Sequence, residues 1–225
     1  MKVNINGIEI YYEVYGSGPP ILFLHGNRES SRIFKNLPAL LEKDYRLYLI
    51  DSRDHGNSGR SKQLNYQLMA DDIEQFIIGL NIERPLLFGF SDGGIIGLLL
   101  AIRSPDLLSG LIAAGANIVP AGMKEKWLRM IQISYFFSRS PKDKMILTEP
   151  HIDPCELKKI TIPTLILAGG KDMIEESHTK LIARNINHSI LKILPQESHS
   201  SYVYENQKLY QAISGFMNDY YGPVG

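Results

Sequence analysis

Between positions 85 and 102 the chain reads Pro-Leu-Leu-Phe-Gly-Phe-Ser-Asp-Gly-Gly-Ile-Ile-Gly-Leu-Leu-Leu-Ala-Ile. The apolar run Pro85–Phe90 reads as a buried strand, and Ile95–Ile102 as a buried helix. The change of element therefore falls on Gly89-Phe90-Ser91-Asp92-Gly93-Gly94. A turn that tight needs residues without Cβ on either side of Ser91, and it pushes the Ser91 Oγ out at the carboxyl end of the sheet. The helix that begins there aims its free N–H groups at the same point. Such a turn suits a nucleophile that attacks an acyl carbon. The pattern is short and made of common residues, so the rest of the chain must supply its context.

Upstream, Val3–Ile5 and Ile8–Tyr15 flank Asn6-Gly7, the strongest short signal for a β-hairpin. After the turn Gly16–Pro20, Ile21–Leu24 is apolar without alternation, as a strand covered on both faces would be. It runs into His25-Gly26-Asn27. A helix is expected over about 31–43, a strand over 45–50, and a helix over 66–80 with Met69, Ile73, Phe76, Ile77 and Leu80 at helical spacing. Leu107–Ala114 reads as a further strand. From 117 to 160 the rhythm breaks. Four prolines fall there (Pro120, Pro141, Pro150, Pro154), with one amphipathic stretch from Lys124 to Phe137. The rhythm resumes with a strand at 162–168, a helix at about 175–185, a strand at 190–194 and a last helix over 202–220. Repeated βα units after a hairpin imply an α/β fold. The expected form is a mostly parallel, eight-stranded twisted sheet with a leading antiparallel hairpin and helices on both faces. Residues 1–116 and 161–225 form the core domain, and residues 117–160 a small helical cap inserted after the sixth strand.

Of 225 residues, Lys plus Arg number 24 and Asp plus Glu 24, so the formal net charge is zero. No basic face is suggested, and neither a nucleic-acid nor a membrane partner is expected. Cys155 is the single cysteine, which excludes an internal disulfide and fits a reducing compartment. The first residues lack the apolar core of a signal peptide, and no apolar run approaches the roughly 18 residues of a membrane span. A cytoplasmic location is expected. No His/Cys/Asp/Glu spacing suits a metal, no Walker pattern is present, and the glycines after Phe88 do not match a dinucleotide loop. No cofactor or metal is expected, and the partner is a small-molecule substrate. Oligomeric state is not legible.

Ligands in parallel α/β sheets sit outside the carboxyl ends of the strands. The residues just past those ends are His25-Gly26-Asn27, Asp51–Ser58, Ser91-Asp92, Asn117, Asp172 and His199. Each has an ordinary structural reading. Ser91 sits in a glycine-rich turn, Asp92 faces a helix dipole, Asp172 follows Gly169-Gly170, and His199 precedes a helix. Together they give the chain order Ser91, Asp172, His199, which is that of a nucleophile elbow with its acid and base. In that reading Ser91 attacks, His199 takes and returns the proton, and Asp172 holds the imidazole tautomer. The oxyanion is met by the backbone N–H groups of Asn27 and Asp92. His25 is read as orienting its loop, His55 as near the site without assigned chemistry, and His151, His178 and His188 as surface residues.

These residues resemble the α/β-hydrolase superfamily over nearly the whole chain outside 117–160. His25-Gly26-Asn27 is similar to that family's oxyanion motif, with Ser31 and Phe34 at positions where members carry a serine and an aromatic. Asp51-Ser52-Arg53-Asp54-His55-Gly56-Asn57-Ser58 is similar to its D-x-R-G-x-G-x-S loop, and Gly169-Gly170-Lys171-Asp172 to the G-x-x-D carrying the acid. The G-x-S-D-G-G elbow is most like that of biphenyl-hydrolase-like and valacyclovirase-like members. Asp54 stands where members usually have Gly and puts a second carboxylate near the rim. Ser198 replaces a frequent Gly before His199. The 44-residue insertion is shorter than many family caps, so an open or shallow pocket is expected.

The resemblance implies a serine hydrolase of a small ester, thioester or amide, acting through an acyl-enzyme. Alternatives are carbon–carbon bond hydrolysis or cofactor-free perhydrolysis on the same triad, and a small-ligand sensor with negligible turnover. Candidate substrate-binding residues are Asp92, whose carboxylate would favour a cationic group, and Trp127 and Tyr135 of the cap. Trp127, Met130, Ile131, Tyr135 and Phe136 line a pocket wall or pack the cap on itself.

Overall fold

The computed structural model describes residues 1–222. Strands β1 (Lys2–Ile5), β2 (Ile8–Tyr15) and β3 (Pro20–Leu24) are followed by a 3₁₀ turn at Ser31–Phe34 and helix α1 (Pro38–Leu41). Then come β4 (Arg46–Ile50), α2 (Tyr66–Gly79), β5 (Leu86–Phe90), α3 (Asp92–Arg103) and β6 (Gly110–Ala114). Helices α4 (Glu125–Ser138) and α5 (Pro141–Thr148) lie between short 3₁₀ turns at Pro120–Gly122 and Pro154–Lys159. The chain closes with β7 (Thr164–Lys171), α6 (Glu176–Arg184), β8 (Ser189–Ser198), α7 (Ser201–Tyr204) and α8 (Asn206–Tyr221). The eight strands form one sheet in the order β1-β2-β4-β3-β5-β6-β7-β8. β2 runs antiparallel to β1 and β4, and the remaining pairs are parallel. The expected mostly parallel sheet, with its leading hairpin and a helical segment after the sixth strand, is the architecture observed.

Alternate residues of the central strands enter opposite cores, as the period of two requires. Leu22, Leu24, Tyr48 and Ile50 pack with Met69, Ile73 and Phe76 of α2 and the apolar side of α3. Ile21, Phe23, Leu47 and Leu49 pack with Phe34, Leu41, Leu209 and Phe216 on the other face. Because both faces are covered, these strands carry no polar alternation.

Several boundaries differ from expectation, among them the start of β6 at Gly110 and the extension of β7 to Lys171. The helix expected over 31–43 breaks in two, because Pro38 has no N–H to continue a helical ladder and instead starts α1. The last helix breaks at Glu205. There the Asn206 side chain donates to the carbonyls of Ile33 and Val203 and accepts from the Asn36 N–H, tying the two helices to the 3₁₀ turn. β8 runs on through Pro195 to Ser198, which an edge strand tolerates since one side needs no donor. Among the described residues, no helix is long and apolar enough to cross a membrane.

The loop after β4 is a scaffold. The Asp51 carboxylate accepts from the N–H groups of Ser31 and Asn57, at 2.7 and 2.8 Å. A Cβ at Gly56, whose φ is +49°, would run into that carboxylate. Ser58 Oγ donates to the Asp51 carbonyl and accepts from the Tyr11 N–H. Asp54 adopts φ +60°, a left-handed conformation that Asp tolerates better than most residues. Arg53 and Asp72 form a buried bidentate ion pair at 2.5 and 2.6 Å, joined by Asn6 Nδ2. Arg53→Met would leave the Asp72 carboxylate buried without its cation. It is expected to cost about 3–5 kcal/mol of stability, read as a melting-temperature drop of roughly 10 °C or more by calorimetry. The double variant Arg53→Met/Asp72→Leu should recover part of that loss.

Candidate active site

β5 delivers Ser91 to the carboxyl edge of the sheet. Its backbone sits at φ +53°, ψ −112°, a conformation that costs a non-glycine residue on the order of 1–3 kcal/mol and survives only where its surroundings enforce it. The surroundings here are backbone. The Ser91 N–H donates to the Ala114 carbonyl of β6 at 2.8 Å. A Cβ at Gly89 would strike the Gly93 carbonyl, and one at Gly93 the Leu24 carbonyl. Both glycine flanks are therefore demanded by close chain approach.

β7 ends in a bend that presents Asp172, and β8 ends one residue before His199. The imidazole Nδ1 lies 2.6 Å from Asp172 Oδ1, and Nε2 lies 3.1 Å from Ser91 Oγ. The three sequence-derived candidates thus meet in one chain of contacts. Asp172 Oδ1 also accepts from the Ile174 N–H at 3.0 Å and Oδ2 from the Gly169 N–H at 3.3 Å. Burial alone would push the Asp172 carboxyl up, but the hydrogen bond and charge of His199 with those two N–H groups hold it below its ordinary value. Its charged form is thus the favoured one. The His199 ring packs on Phe90, centroids 4.9 Å apart, and over Gly115, whose φ is +62° and whose Cβ would lie 2.8 Å from the imidazole. Sequence reasoning missed Gly115, because only the fold brings residue 199 above it.

Asp92 opens α3, so its N–H has no partner within the helix. Asp92 is 3% exposed. Oδ1 accepts from Tyr66 OH at 2.8 Å and Oδ2 from Asn27 Nδ2 at 2.9 Å. The side chain is thus built into the cavity wall and ties the two expected oxyanion residues to each other. Asn27 Oδ1 is buried without a partner. Burial drives the Asp92 carboxyl up to about 6, against the pull of the Asn27 and Tyr66 hydrogen bonds. A folded value above the unfolded one means that the folded state holds a proton which the unfolded chain has released. The contribution of Asp92 to stability therefore falls as pH rises between about 4 and 6, and above that the buried charge opposes folding. Asp92→Asn is expected to raise stability at pH 8 by up to about 3 kcal/mol and to leave it little changed at pH 4. Asn27 can flip its amide and offer Oδ1 to the new donor. Thermal melts of both proteins across pH 4–8 check this; parallel curves would refute it.

The loop after β3 carries two further groups. His25 is buried, donates from Nδ1 to the Gly26 carbonyl at 2.7 Å and accepts from the Ser52 N–H at Nε2. Burial lowers its pKa and keeps it neutral, despite the opposing pull of the Gly26 carbonyl and Asp51. It orients the loop, as expected. Glu29 accepts from the Gly26 N–H at 2.8 Å and from Tyr204 OH, joining this loop to the helix after His199. Neither Glu29 nor Tyr204 carried a sequence signal, since their pairing spans 175 positions. The His55 ring packs at a tilt against His25, centroids 5.2 Å apart, and does not reach the cavity. His151 and His188 are exposed. His178 is not a surface residue. It is buried, its Nε2 accepts from the Ile118 N–H at 3.1 Å, and its ring packs over Gly122. Its position on the inner side of α6 could not be told from a solvent-facing one by spacing alone.

A cavity of about 400 Å³ lies over Ser91. Its floor holds Asn27, Ser91, Asp92 and His199, and its roof holds Met123, Trp127, Met130, Ile131 and Ser134 from the 117–160 segment. Of the expected substrate-binding residues, Asp92 and Trp127 line it and Tyr135 does not. Tyr135 lies about 80° round α4 from Trp127, and its ring takes the Arg139 guanidinium instead. The segment is strapped down by polar contacts. Arg28 bonds Asp143 through Nε and Nη2, at 3.1 and 2.7 Å, and Asp143 also accepts from Ser134 Oγ. Lys142 bonds the carbonyl and carboxylate of Asp54, so that carboxylate holds the roof rather than facing the cavity. Glu149 accepts from the Tyr66 N–H, and Lys124 Nζ donates to the Asp172 carbonyl.

Residues 19–140 match the model of a family described as alpha/beta hydrolase fold. The chain is 27% identical to the AB hydrolase superfamily protein YisY of Bacillus subtilis, covering 94% of this chain and 96% of that one. Other curated relatives, named as acetyltransferases or an esterase/lipase, are matched over only 29% to 36% of their length. Among solved structures, a bromoperoxidase from Bacillus anthracis superposes with a TM-score of 0.85 at 23% identity, over 97% of this chain and 99% of that one. An esterase from Exiguobacterium antarcticum superposes with a TM-score of 0.82 at 23% identity, over 96% and 98%. By its sequence model and by its fold, this chain belongs to the alpha/beta hydrolase family.

Proposed function

We propose that this chain is a serine hydrolase that cleaves small carboxylic esters through an acyl-enzyme, with residues 117–160 as the lid over its pocket. The observation that carries the reading is the unbroken line from Asp172 through His199 to Ser91, at 2.6 and 3.1 Å. In this reading Ser91 Oγ attacks the ester carbonyl as His199 Nε2 takes its proton. The tetrahedral oxyanion is met by the N–H groups of Asn27 and Asp92. His199 then returns the proton to the leaving alkoxide, and water repeats the sequence to release the acid. Asp172 stabilises the imidazolium in both halves. The roof over Ser91 carries an apolar patch (Met123, Trp127, Met130, Ile131) beside the polar Ser134, Asp143 and Glu149, and that patch suits an uncharged acyl group of modest size. The esterase among the structural neighbours is consistent with this chemistry.

A fluorophosphonate probe is expected to label Ser91 and no other residue, located by peptide mass analysis. With a short p-nitrophenyl ester, product should form at many equivalents per protein. Labelling elsewhere would overturn the nucleophile assignment. Product limited to one equivalent would favour a sensor over an enzyme.

A further inference from the structure

We propose that the outer face of α4 docks this protein onto an anionic lipid surface. Trp127, Met130, Ile131 and Ser134 turn one side of α4 to the cavity. At about 100° per residue, Met130, Ile133, Phe136 and Phe137 form a neighbouring stripe on the same helix. Their exposures are 58%, 60%, 64% and 80%. No residue of α4 is fully buried, and no other stretch of the described chain exposes four large apolar side chains within two helical turns. Phe136 and Phe137 meet edge to face, with centroids 5.2 Å apart, and present one aromatic ridge.

Cations outnumber carboxylates around the ridge. Residues 124–144 hold Lys124, Lys126, Arg129, Arg139, Lys142 and Lys144 against Glu125 and Asp143. Lys124 bonds the Asp172 carbonyl, Arg129 pairs with Glu125 and Lys142 with Asp54, which leaves Lys126, Arg139 and Lys144 without a carboxylate partner among the described residues. The Arg139 guanidinium lies 5.6 Å from the Phe136 ring centre, and Lys126 Nζ lies 5.4 Å from that of Trp127. Both are exposed, and neither pairs with a carboxylate among the described residues. The zero net charge, from which no membrane partner is expected, is a sum over the whole chain and hides this local excess. An apolar stripe of Phe and Ile edged by Lys and Arg is what lies in a headgroup interface, each nearby cation adding about 1 kcal/mol on an anionic leaflet. A second copy fits worse. It would bring two cationic edges together, and one stripe is far short of the roughly 20–30 residues a side of a stable interface. Docked this way, the cavity over Ser91 lies one helix away from the lipid, so amphiphilic esters would be the substrates within reach.

The test is sedimentation with lipid vesicles, and it does not depend on turnover. The full chain is expected to co-sediment with phosphatidylcholine vesicles containing about 30% phosphatidylserine, far more than with phosphatidylcholine alone, and to be released by salt. Phe136→Ser/Phe137→Ser should weaken that partition at least about tenfold, with an unchanged melting temperature. Ile78→Ser, which removes an exposed apolar side chain on α2, should leave it unchanged. Absence of binding to anionic vesicles, or equal binding to both lipids or by the Phe136/Phe137 variant, overturns the proposal. So does a concentration-dependent dimer, by analytical ultracentrifugation, that the double variant abolishes.

Discussion

Replacing Ser91 by alanine is expected to lower kcat for a short p-nitrophenyl ester by about 10⁴- to 10⁶-fold while KM changes little. The hydroxyl is the only group of the line at 3.1 Å from His199 Nε2 that can form a bond to the acyl carbon. The residual rate would come from the oxyanion donors and from substrate binding, which the variant keeps. Folding should be almost unaffected. Alanine carries the same Cβ into the same φ of +53°, so the backbone strain is neither relieved nor increased. Steady-state kinetics alongside a thermal melt separate the two effects. A loss of less than tenfold in a folded variant would remove Ser91 from the mechanism.

Asp172→Asn is expected to lower kcat on the order of 10⁴-fold, and the surroundings of the carboxylate explain why neither amide orientation rescues it. With its oxygen toward His199, the amide keeps the bonds from Nδ1 and from the Ile174 N–H, but sets its NH₂ against the Gly169 N–H. The tautomer survives and the negative charge that stabilises the imidazolium is lost. With its nitrogen toward His199, the amide donates to Nδ1, forces the proton onto Nε2, and leaves His199 unable to accept from Ser91. A fluorophosphonate labelling rate measured across pH 5–9 reads both outcomes. Labelling as fast as in the parent protein would sink the assignment of Asp172.

The expected layout of strands and helices matches the fold closely where the signal is local. Apolar runs without alternation mark strands covered on both faces, and the period of 3.6 in 66–80 marks α2. Two of the misplaced boundaries sit where a single residue intervenes, as Pro38 and Asn206 do. The three residues that line up at Ser91 were readable because each follows a strand, and parallel strands all end on one edge. The residues that hold them were not. Tyr66 reaches Asp92 across 26 positions, Arg28 reaches Asp143 across 115, and Glu29 reaches Tyr204 across 175. None lies in a motif. Tyr135 and Phe136 could not be sorted from Trp127 either, because an amphipathic pattern tells that a helix has faces without telling which neighbour each face meets.

The order of elements and the chemistry available at their ends are therefore written in the sequence. Chain direction and glycine placement are local properties, and they carry Ser91, Asp172 and His199 to a common edge. Tertiary structure alone decided how that edge is enclosed. The burial that lifts the Asp92 carboxyl, the straps from Arg28 and Lys142 that hold the roof, and the aromatic ridge left bare on α4 each depend on distant segments packing together. Desolvation and contact belong to the packed chain, and no run of neighbouring residues encodes them.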